Sequence, residues 1–353
     1  MTVSTAPTYQ QRTSAAITWL RFPLIFLVIL LHAYSVVQLP GSHAAYFKTV
    51  YPFALWLGET GVPGFLFISG YLFFLSHKTY GEKLKGRFHS LLVPYLLWNG
   101  LLLLGYLAAY AAGHPQDING RSMVDYGWAD YVRLFWDRGS FDNGNFVPLL
   151  CPYWYIRNLL LLSLLSPIIY ILVQRLGAIF FLLPVAIWWM LTPHNAFIPQ
   201  SVLFFSLGAF FSIRSKVPLQ LFHDWRKPLL ALFLLFALAD VLSHILVPTP
   251  VNLQLHRLAL LFNLPALFLL ADWLSQRGCQ SALLTNAAFI VFSIHYPLMV
   301  VLRKACTHYL GDACDGVQLL LYVGCVVAAT LLSLLFYLVL PVWARNLLSG
   351  NRS

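Results

Sequence analysis

The sequence has little charge and few cysteines. Only 10% of its 353 residues are charged, whereas 59% are hydrophobic. A soluble protein of this length could not bury so much apolar surface, so this composition argues against a soluble globular fold. The five cysteines show no C-x-x-C spacing, which argues against a zinc or dithiol site, and we expect no metal. Cys306 and Cys314 flank a short loop and could form a disulfide in an oxidising compartment; two unpaired thiols are the alternative.

Other features are also missing. The polar N-terminal stretch MTVSTAPTYQQRTSAA lacks the pattern of a cleavable signal peptide, so we expect the first apolar run to persist as a helix. No internal repeat is visible, which weakens a transporter hypothesis built on inverted halves. The net charge of +10 lies in short loops rather than in a basic stripe interleaved with aromatic residues. This pattern suits membrane lipid headgroups and gives no indication of a nucleic-acid partner.

Long apolar runs dominate what is present. Because such runs mark membrane-spanning helices, they predict an all-α, polytopic integral membrane protein with about ten transmembrane helices in a single domain, residues 1–353. The predicted segments are 17–38, 50–76, 91–112, 153–174, 177–193, 197–213, 228–247, 253–274, 286–304 and 317–343. The short stretches QRL and TPHN predict helical hairpins between the fourth, fifth and sixth segments.

Lysine and arginine residues indicate the orientation. With the N-terminus inside, the cytoplasmic segments hold about twice as many of these residues as the opposite side, which is the expected bias. Both termini are therefore predicted to be cytoplasmic. On this topology residues 1–16 form a cytoplasmic tail, and residues 113–152 form a large extracytoplasmic loop.

Several titratable side chains lie within the apolar segments, where they are costly and usually face a cavity or a partner. Most fall in the outer half of the predicted bundle, with His295 near the middle and Arg21 near the cytoplasmic face. This distribution predicts a polar pocket that opens outward. The alternative is a buried polar network that fixes helix packing. The residues are Arg21, His32, Glu59, Arg157, Asp240, His244, Arg257 and His295.

Arg21 and His32 share one face of the first predicted helix. Eleven residues at about 100° each return to within about 20° of the starting direction and rise about 16 Å. The two side chains cannot touch, but one elongated ligand could contact both. A guanidinium suits a phosphate or carboxylate, and an imidazole suits proton transfer. The alternatives are that Arg21 anchors the helix at lipid headgroups and that His32 bonds a neighbouring helix.

Five stretches in order resemble the membrane-bound acyltransferase 3 family. Arg21 and His32 form R-x10-H, and GVPGFLFISGYLFF (61–74) is similar to the Ser-Gly-aromatic motif of the second span. KLKGRFHSLLVPYLLWN (83–99) resembles the basic segment before Pro-Tyr. YWYIRNLLLLSLLSPI (153–168) and FSIHYPL (292–298) resemble the later Trp-aromatic-x-Arg and His-x-Pro segments. The resemblance covers nearly the whole chain.

The resemblance implies a stand-alone enzyme of the bacterial inner membrane, without a fused periplasmic domain. Such an enzyme moves an acyl group, usually acetyl, from cytoplasmic acyl-CoA to a hydroxyl of a glycan at or across the membrane. Arg21 and His32 match the pair that the family needs for activity. Arg87 matches the first arginine of a basic pair, but Ser90 stands where many members have the second, and Lys83 and Lys85 lie nearby.

On this hypothesis acetyl-CoA is the donor, and its phosphates are held by Arg21, Lys83, Lys85 and Arg87. Ser69, Gly70 and Tyr71 are expected to shape the acyl-CoA channel, with close helix packing as the alternative. His32 acts either as a general base or as a transient acyl carrier.

The remaining candidate residues are assigned to the reaction centre and the acceptor. Glu59 and Asp240 are candidates to orient His32, and Arg157 and His295 are candidates to stabilise an oxyanion. Trp154 and Tyr155 are predicted at the outer interface, either as a stacking platform for a sugar or as membrane-belt anchors. The leading function is glycan O-acyltransferase. The alternatives are a transporter or flippase of a lipid-linked sugar or small anion, and a structural membrane protein.

Overall fold

The computed structural model describes residues 7–36, 44–114, 117–118, 120–139, 146–193, 196–246, 251–310 and 314–350. The fold is almost entirely helical. The helices are α1 (Tyr9–Val36), α2 (Ala44–Gly58), α3 (Gly61–Leu75), α4 (Tyr80–Arg87), α5 (Val93–Ala111), α6 (Trp128–Arg133), α7 (Trp154–Leu164), α8 (Ser166–Gly177), α9 (Leu183–Leu191), α10 (Phe197–Ile213), α11 (Pro218–Asp224), α12 (Arg226–Leu246), α13 (Val251–Ser275), α14 (Ala282–Leu310), α15 (Asp315–Val339) and α16 (Val342–Ser349). Two π-helical turns, Phe88–Leu92 and Ala178–Leu182, join α4 to α5 and α8 to α9.

Within the described ranges, eight helical stretches are long and apolar enough to cross a membrane. The number rises to nine if α10 and α11, which meet at 93°, count as one span. The predicted fold class, an all-α polytopic membrane protein, is confirmed. The number of candidate spans is slightly lower than the ten that we predicted. The side of the membrane on which each terminus lies stays a prediction.

The differences from the predicted segments are local. Helix α1 begins at Tyr9, eight residues before the predicted start. The fourth predicted segment is interrupted at Leu165, just before Pro167 of α8, because proline lacks an N–H and restricts the residue before it. Helical structure runs through QRL, where we predicted a turn, since Gln, Arg and Leu all favour helix. Helix α8 ends at Gly177, which has a φ of 67°.

Helices α3 and α10 approach each other closely through glycine. A Cβ atom at Gly70 would overlap the backbone carbonyl oxygen of Phe205, and one at Gly208 would overlap that of Phe67. Small residues allow such close approach between membrane helices. Helix α1 packs against α2, α3, α13 and α14, so Arg21 and His32 lie on a central helix of the bundle.

The segment between α5 and α7 forms a small structured unit on the bundle, which we call the α5–α7 unit. Strands Asp117–Ile118 and Arg121–Ser122 pair antiparallel, and α6 follows. Four buried side chains form its own core: Ile118, Met123, Leu134 and Leu149. The Tyr95 hydroxyl donates to the Phe135 carbonyl, and the Leu150 N–H donates to Asn99 Oδ1 at 2.9 Å. The unit is therefore tied to α5.

Residues near both ends of the described chain contact the same end of the bundle. Tyr71 Oη donates to Gln10 Oε1 at 3.2 Å, and Trp98 Nε1 donates to the Leu348 carbonyl at 3.0 Å. We refer to this as the predicted cytoplasmic end. Cys306 and Cys314 are both free thiols in the structure, which agrees with the unpaired alternative.

Candidate active site

A cavity of about 350 Å³ opens between α1, α3, α7, α14 and the π-helical turn after α4. We call it the arginine pocket because Arg21 and Arg87 both line it. The remaining lining is largely aromatic and aliphatic, and includes Ile25, Phe65, Tyr155 and Phe292. A cavity with two guanidinium groups and an apolar wall suits a ligand that has an anionic end and an apolar or amide-bearing arm.

Of the basic residues predicted to bind an anion, Arg21 and Arg87 line this pocket, whereas Lys83 and Lys85 do not. Arg87 Nη2 donates to the Ser69 carbonyl at 3.4 Å, and its guanidinium lies 5.5 Å from the Phe73 ring centroid. Lys83 Nζ lies 5.2 Å from the same ring, so the two cations share an aromatic support. Lys85 is exposed and does not line the pocket. Ser90, which stands where related proteins have a second arginine, does line it.

The three residues of the Ser-Gly-aromatic motif have different environments. Ser69 lines the arginine pocket. Gly70 lies instead at the close contact between α3 and α10, and the buried Tyr71 bonds Gln10. Of the predicted channel residues, the structure therefore places only Ser69 in the pocket, and the other two contribute to helix packing.

His32 lies beside His295, and we call these two residues the histidine pair. Their ring centroids are 5.5 Å apart, and the Tyr296 ring lies edge-on to His32 at 5.2 Å. His295 is fully buried, and its Nδ1 donates to the Phe292 carbonyl at 2.6 Å. Its Nε2 is then a hydrogen-bond acceptor, and it has no partner among the described residues. We predicted that a second titratable side chain lies close to the His32 imidazole. In the structure that side chain is His295.

An aromatic layer separates the arginine pocket from the histidine pair. Phe292 lines the pocket, and its ring centroid lies 5.7 Å from that of His295. Tyr155 meets Phe292 edge-on at 5.1 Å, and Tyr153 stacks parallel to it at 5.7 Å. The pocket and the pair therefore follow each other along α1 and α14, because Ile25 is two helical turns before His32. Tyr153 was not singled out from the sequence.

Glu59 and Asp240 do not lie with His32 in the structure. His256 bridges them: its Nδ1 lies 2.8 Å from Asp240 Oδ2, and its Nε2 lies 3.1 Å from Glu59 Oε2. His244 Nδ1 is 3.1 Å from the other Asp240 carboxylate oxygen. Their predicted role in orienting His32 has no geometric support, because the partner is a different histidine. We did not single out His256 from the sequence, although it precedes Arg257 in the apolar stretch LQLHRLAL and could have been found there.

Arg157 and Trp154 support the fold around the site. Arg157 donates to the carbonyls of Trp136 at 2.7 Å and Phe146 at 2.9 Å, so it anchors the α5–α7 unit and does not face the histidine pair. The Trp154 ring stacks on Phe197 at 3.9 Å, and the residue is only 8% exposed. It is therefore neither an open sugar platform nor a lipid-facing anchor. Tyr155, predicted at the outer interface, is buried in the wall of the arginine pocket.

The family model described as an acyltransferase domain matches residues 14–338 of this chain. The chain belongs to the acyltransferase 3 family. Among curated proteins, the chain is similar to the succinoglycan biosynthesis protein ExoH of Rhizobium meliloti (strain 1021). The two are 27% identical over an alignment of 267 residues, which covers 70% of this chain and 68% of the relative. No solved structure matches.

Membership in this family supports assignment of the bundle as a multi-pass membrane acyltransferase. The match includes the arginine pocket, the histidine pair and the α5–α7 unit, so all three belong to the acyltransferase domain. The resemblance identified from five short motifs is thereby confirmed.

Proposed function

We propose that the protein transfers an acetyl group from acyl-CoA to a hydroxyl of an exported or cell-surface polysaccharide in the bacterial inner membrane. The observation that carries this proposal is the sequence of sites along α1 and α14. A pocket with Arg21 and Arg87 comes first, and the histidine pair follows beyond an aromatic layer. The polysaccharide acceptor is supported by the similarity to a succinoglycan biosynthesis protein.

The donor would enter the arginine pocket from the predicted cytoplasmic end. Arg21, Arg87 and Lys83 bind its phosphates, since guanidinium groups pair with phosphate oxygens through charge-assisted hydrogen bonds. The pantetheine arm then follows the apolar wall formed by Phe65, Tyr155 and other side chains. The rise of about 16 Å between Arg21 and His32 leaves room for this arm.

In the proposed reaction His32 acts as a general base. It takes the proton from the acceptor hydroxyl while the hydroxyl oxygen attacks the thioester carbonyl carbon. The carbon–sulfur bond then breaks, and the thiolate takes that proton from His32 to leave as CoA thiol. His295 Nε2 offers an acceptor beside His32 and would orient its N–H, a role for which we had considered the two carboxylates. An oxyanion-binding role would require His295 to be protonated at Nε2.

The transporter or flippase alternative explains fewer observations. A flippase does not require a cationic pocket beside Arg21, whereas an enzyme that uses CoA does. The acyltransferase family match over residues 14–338 points in the same direction.

The test is acyl transfer by purified protein from radiolabelled acetyl-CoA to a deacylated polysaccharide. We expect His32→Ala to lower kcat by about 10²- to 10⁴-fold, the usual contribution of a general base, with the KM for acetyl-CoA unchanged. His308→Ala, an exposed histidine of α14, is the matched control and should behave like wild type. Wild-type rates in His32→Ala would refute the mechanism.

A rapid-quench experiment without acceptor distinguishes the two roles of His32. A general base leaves the protein unlabelled, because no covalent intermediate forms. Stoichiometric label on His32 would contradict the general-base step and would show that the imidazole carries the acyl group.

A further inference from the structure

A second cavity lies in the α5–α7 unit. It has a volume of about 210 Å³ and is separate from the arginine pocket. We call it the loop cavity. Its polar lining combines arginine, aspartate and tyrosine side chains: Arg121, Tyr126, Asp130, Arg133, Asp137 and Arg138.

The charged side chains of the loop cavity form ordered pairs. Arg121 bonds both carboxylate oxygens of Asp130, at 3.0 and 3.1 Å. The bond from Arg121, together with the Gly127 N–H, lowers the pKa of Asp130. Arg133 Nη2 lies 2.8 Å from Asp137, which is only 3% exposed. Paired charges leave both donors and acceptors on the cavity wall, which suits a ligand with many hydroxyl groups better than a polyanion such as CoA.

Arg138 connects the loop cavity to the histidine pair. It lines the cavity, and its side chain lies close enough to that of Tyr296 to interact with it. The Tyr296 ring in turn contacts His32 edge-on at 5.2 Å. The histidine pair therefore has two neighbours. The aromatic layer of the arginine pocket lies next to His295, and Tyr296, with Arg138 behind it, lies between His32 and the loop cavity.

Backbone bonds hold Arg138 in place. Its own N–H donates to the Val147 carbonyl at 2.7 Å, and the Leu149 N–H donates to the Leu134 carbonyl at 2.8 Å. Arg157, on α7, bonds the carbonyls of Trp136 and Phe146, and so connects the same two chain segments to α7. A fixed backbone limits the positions that the Arg138 side chain can adopt, and catalysis requires a ligand to be positioned within a narrow tolerance.

We propose that the loop cavity binds the hydroxyl-rich sugar that receives the acyl group, and that Arg138 and Tyr296 position its reacting hydroxyl at His32. This inference rests on the proposed acyltransferase function. It places donor and acceptor in separate cavities, with the histidine pair between them. It also replaces Trp154 and Tyr155 as the predicted sugar site.

The experiment compares Arg138→Gln with wild type in binding and in transfer. The probe is succinoglycan, deacylated and cleaved to single repeat units, chosen because the chain is similar to a succinoglycan biosynthesis protein. We expect Arg138→Gln to raise the Kd of the repeat unit and its KM by about tenfold or more, the usual effect of losing a hydrogen bond to a charged group. The KM for acetyl-CoA should not change, and Arg138→Lys should restore part of the affinity.

Controls separate this inference from the proposed function. Arg303→Gln removes an exposed cation of α14 that lies outside the loop cavity, and it should leave the KM for the repeat unit unchanged. Failure of wild type to bind the repeat unit would overturn the inference, as would equal affinity in wild type and Arg138→Gln. Binding that depends on Arg138 without any acyl transfer would instead overturn the proposed function and leave the sugar site standing.

Discussion

Arg21 and Arg87 are the two residues that we propose to bind the donor. They reach the same cavity from different helices, and Arg87 is further supported by the Phe73 ring. Neither residue touches the histidine pair in the structure. Their contribution should therefore appear in binding of the donor and not in the chemical step.

We predict that Arg21→Ala and Arg87→Ala each raise the KM for acetyl-CoA by about tenfold or more, because a charge-assisted hydrogen bond to phosphate is lost. The KM for dephosphorylated fragments of the donor, such as an acyl-pantetheine, should change little. The matched control is Arg175→Ala, an exposed arginine of α8 outside the pocket. An equal loss with acetyl-CoA and with acyl-pantetheine would contradict a phosphate-binding role.

Pairing between residues was the hardest property to predict. The spacing of Arg21 and His32 predicts that they share one face of α1, since helical periodicity determines which residues share a face. The spacing could not show that His32 contacts His295, or that His256 forms hydrogen bonds with Glu59 and Asp240. Those contacts depend on which helices pack together, and helix packing is a long-range property.

At the level of helices, the contact between α3 and α10 positions one wall of the arginine pocket. Ser69 faces the cavity, and Gly70, the next residue, lies against the backbone of α10. The direction in which Ser69 faces therefore depends on how closely the two helices approach. A larger residue at position 70 must push them apart.

We predict that Gly70→Ala destabilises the protein by about 1–3 kcal/mol, the usual range for overpacking, and lowers acyl transfer by disturbing the pocket wall. The control is Gly100→Ala in α5, where an added Cβ meets no atom within 4 Å. Thermal unfolding in detergent measures both variants. Equal unfolding temperatures for Gly70→Ala and wild type would show that the contact is looser than the structure indicates.

The α5–α7 unit illustrates what apolar runs could not show. Residues 113–152 were predicted only as a large loop, because they contain no long apolar segment. The structure gives much of this stretch its own small core and fixes it to the bundle through Arg157, Tyr95 and Asn99. A buried arginine beside a loop was interpreted as catalytic from sequence. This residue, Arg157, donates hydrogen bonds to two backbone carbonyls, which indicates a structural role.

For the whole molecule, hydropathy was sufficient to predict the class of fold. Apolar length alone distinguishes a bundle of spanning helices from a soluble protein, and the described helices agree with that class. The fourth and fifth segments were harder, because Pro167 and Gly177 mark helix boundaries at positions that hydropathy does not detect. The sequence singles out Arg21 and His32 as candidates for the reacting centre, and that assignment stays a prediction, whereas the second cavity depends on tertiary contacts of Arg138.

The central claim is that one donor molecule extends from Arg21 and Arg87 to His32. The most direct measurement is an experimental structure of the protein with an acetonyl thioether analogue of acetyl-CoA, which cannot transfer its acyl group. The account predicts phosphate oxygens within hydrogen-bonding distance of Arg21 and Arg87, and the carbonyl carbon of the analogue beside His32. An analogue bound anywhere else, or one whose carbonyl stops below Phe292 with no passage to the histidine pair, would contradict it.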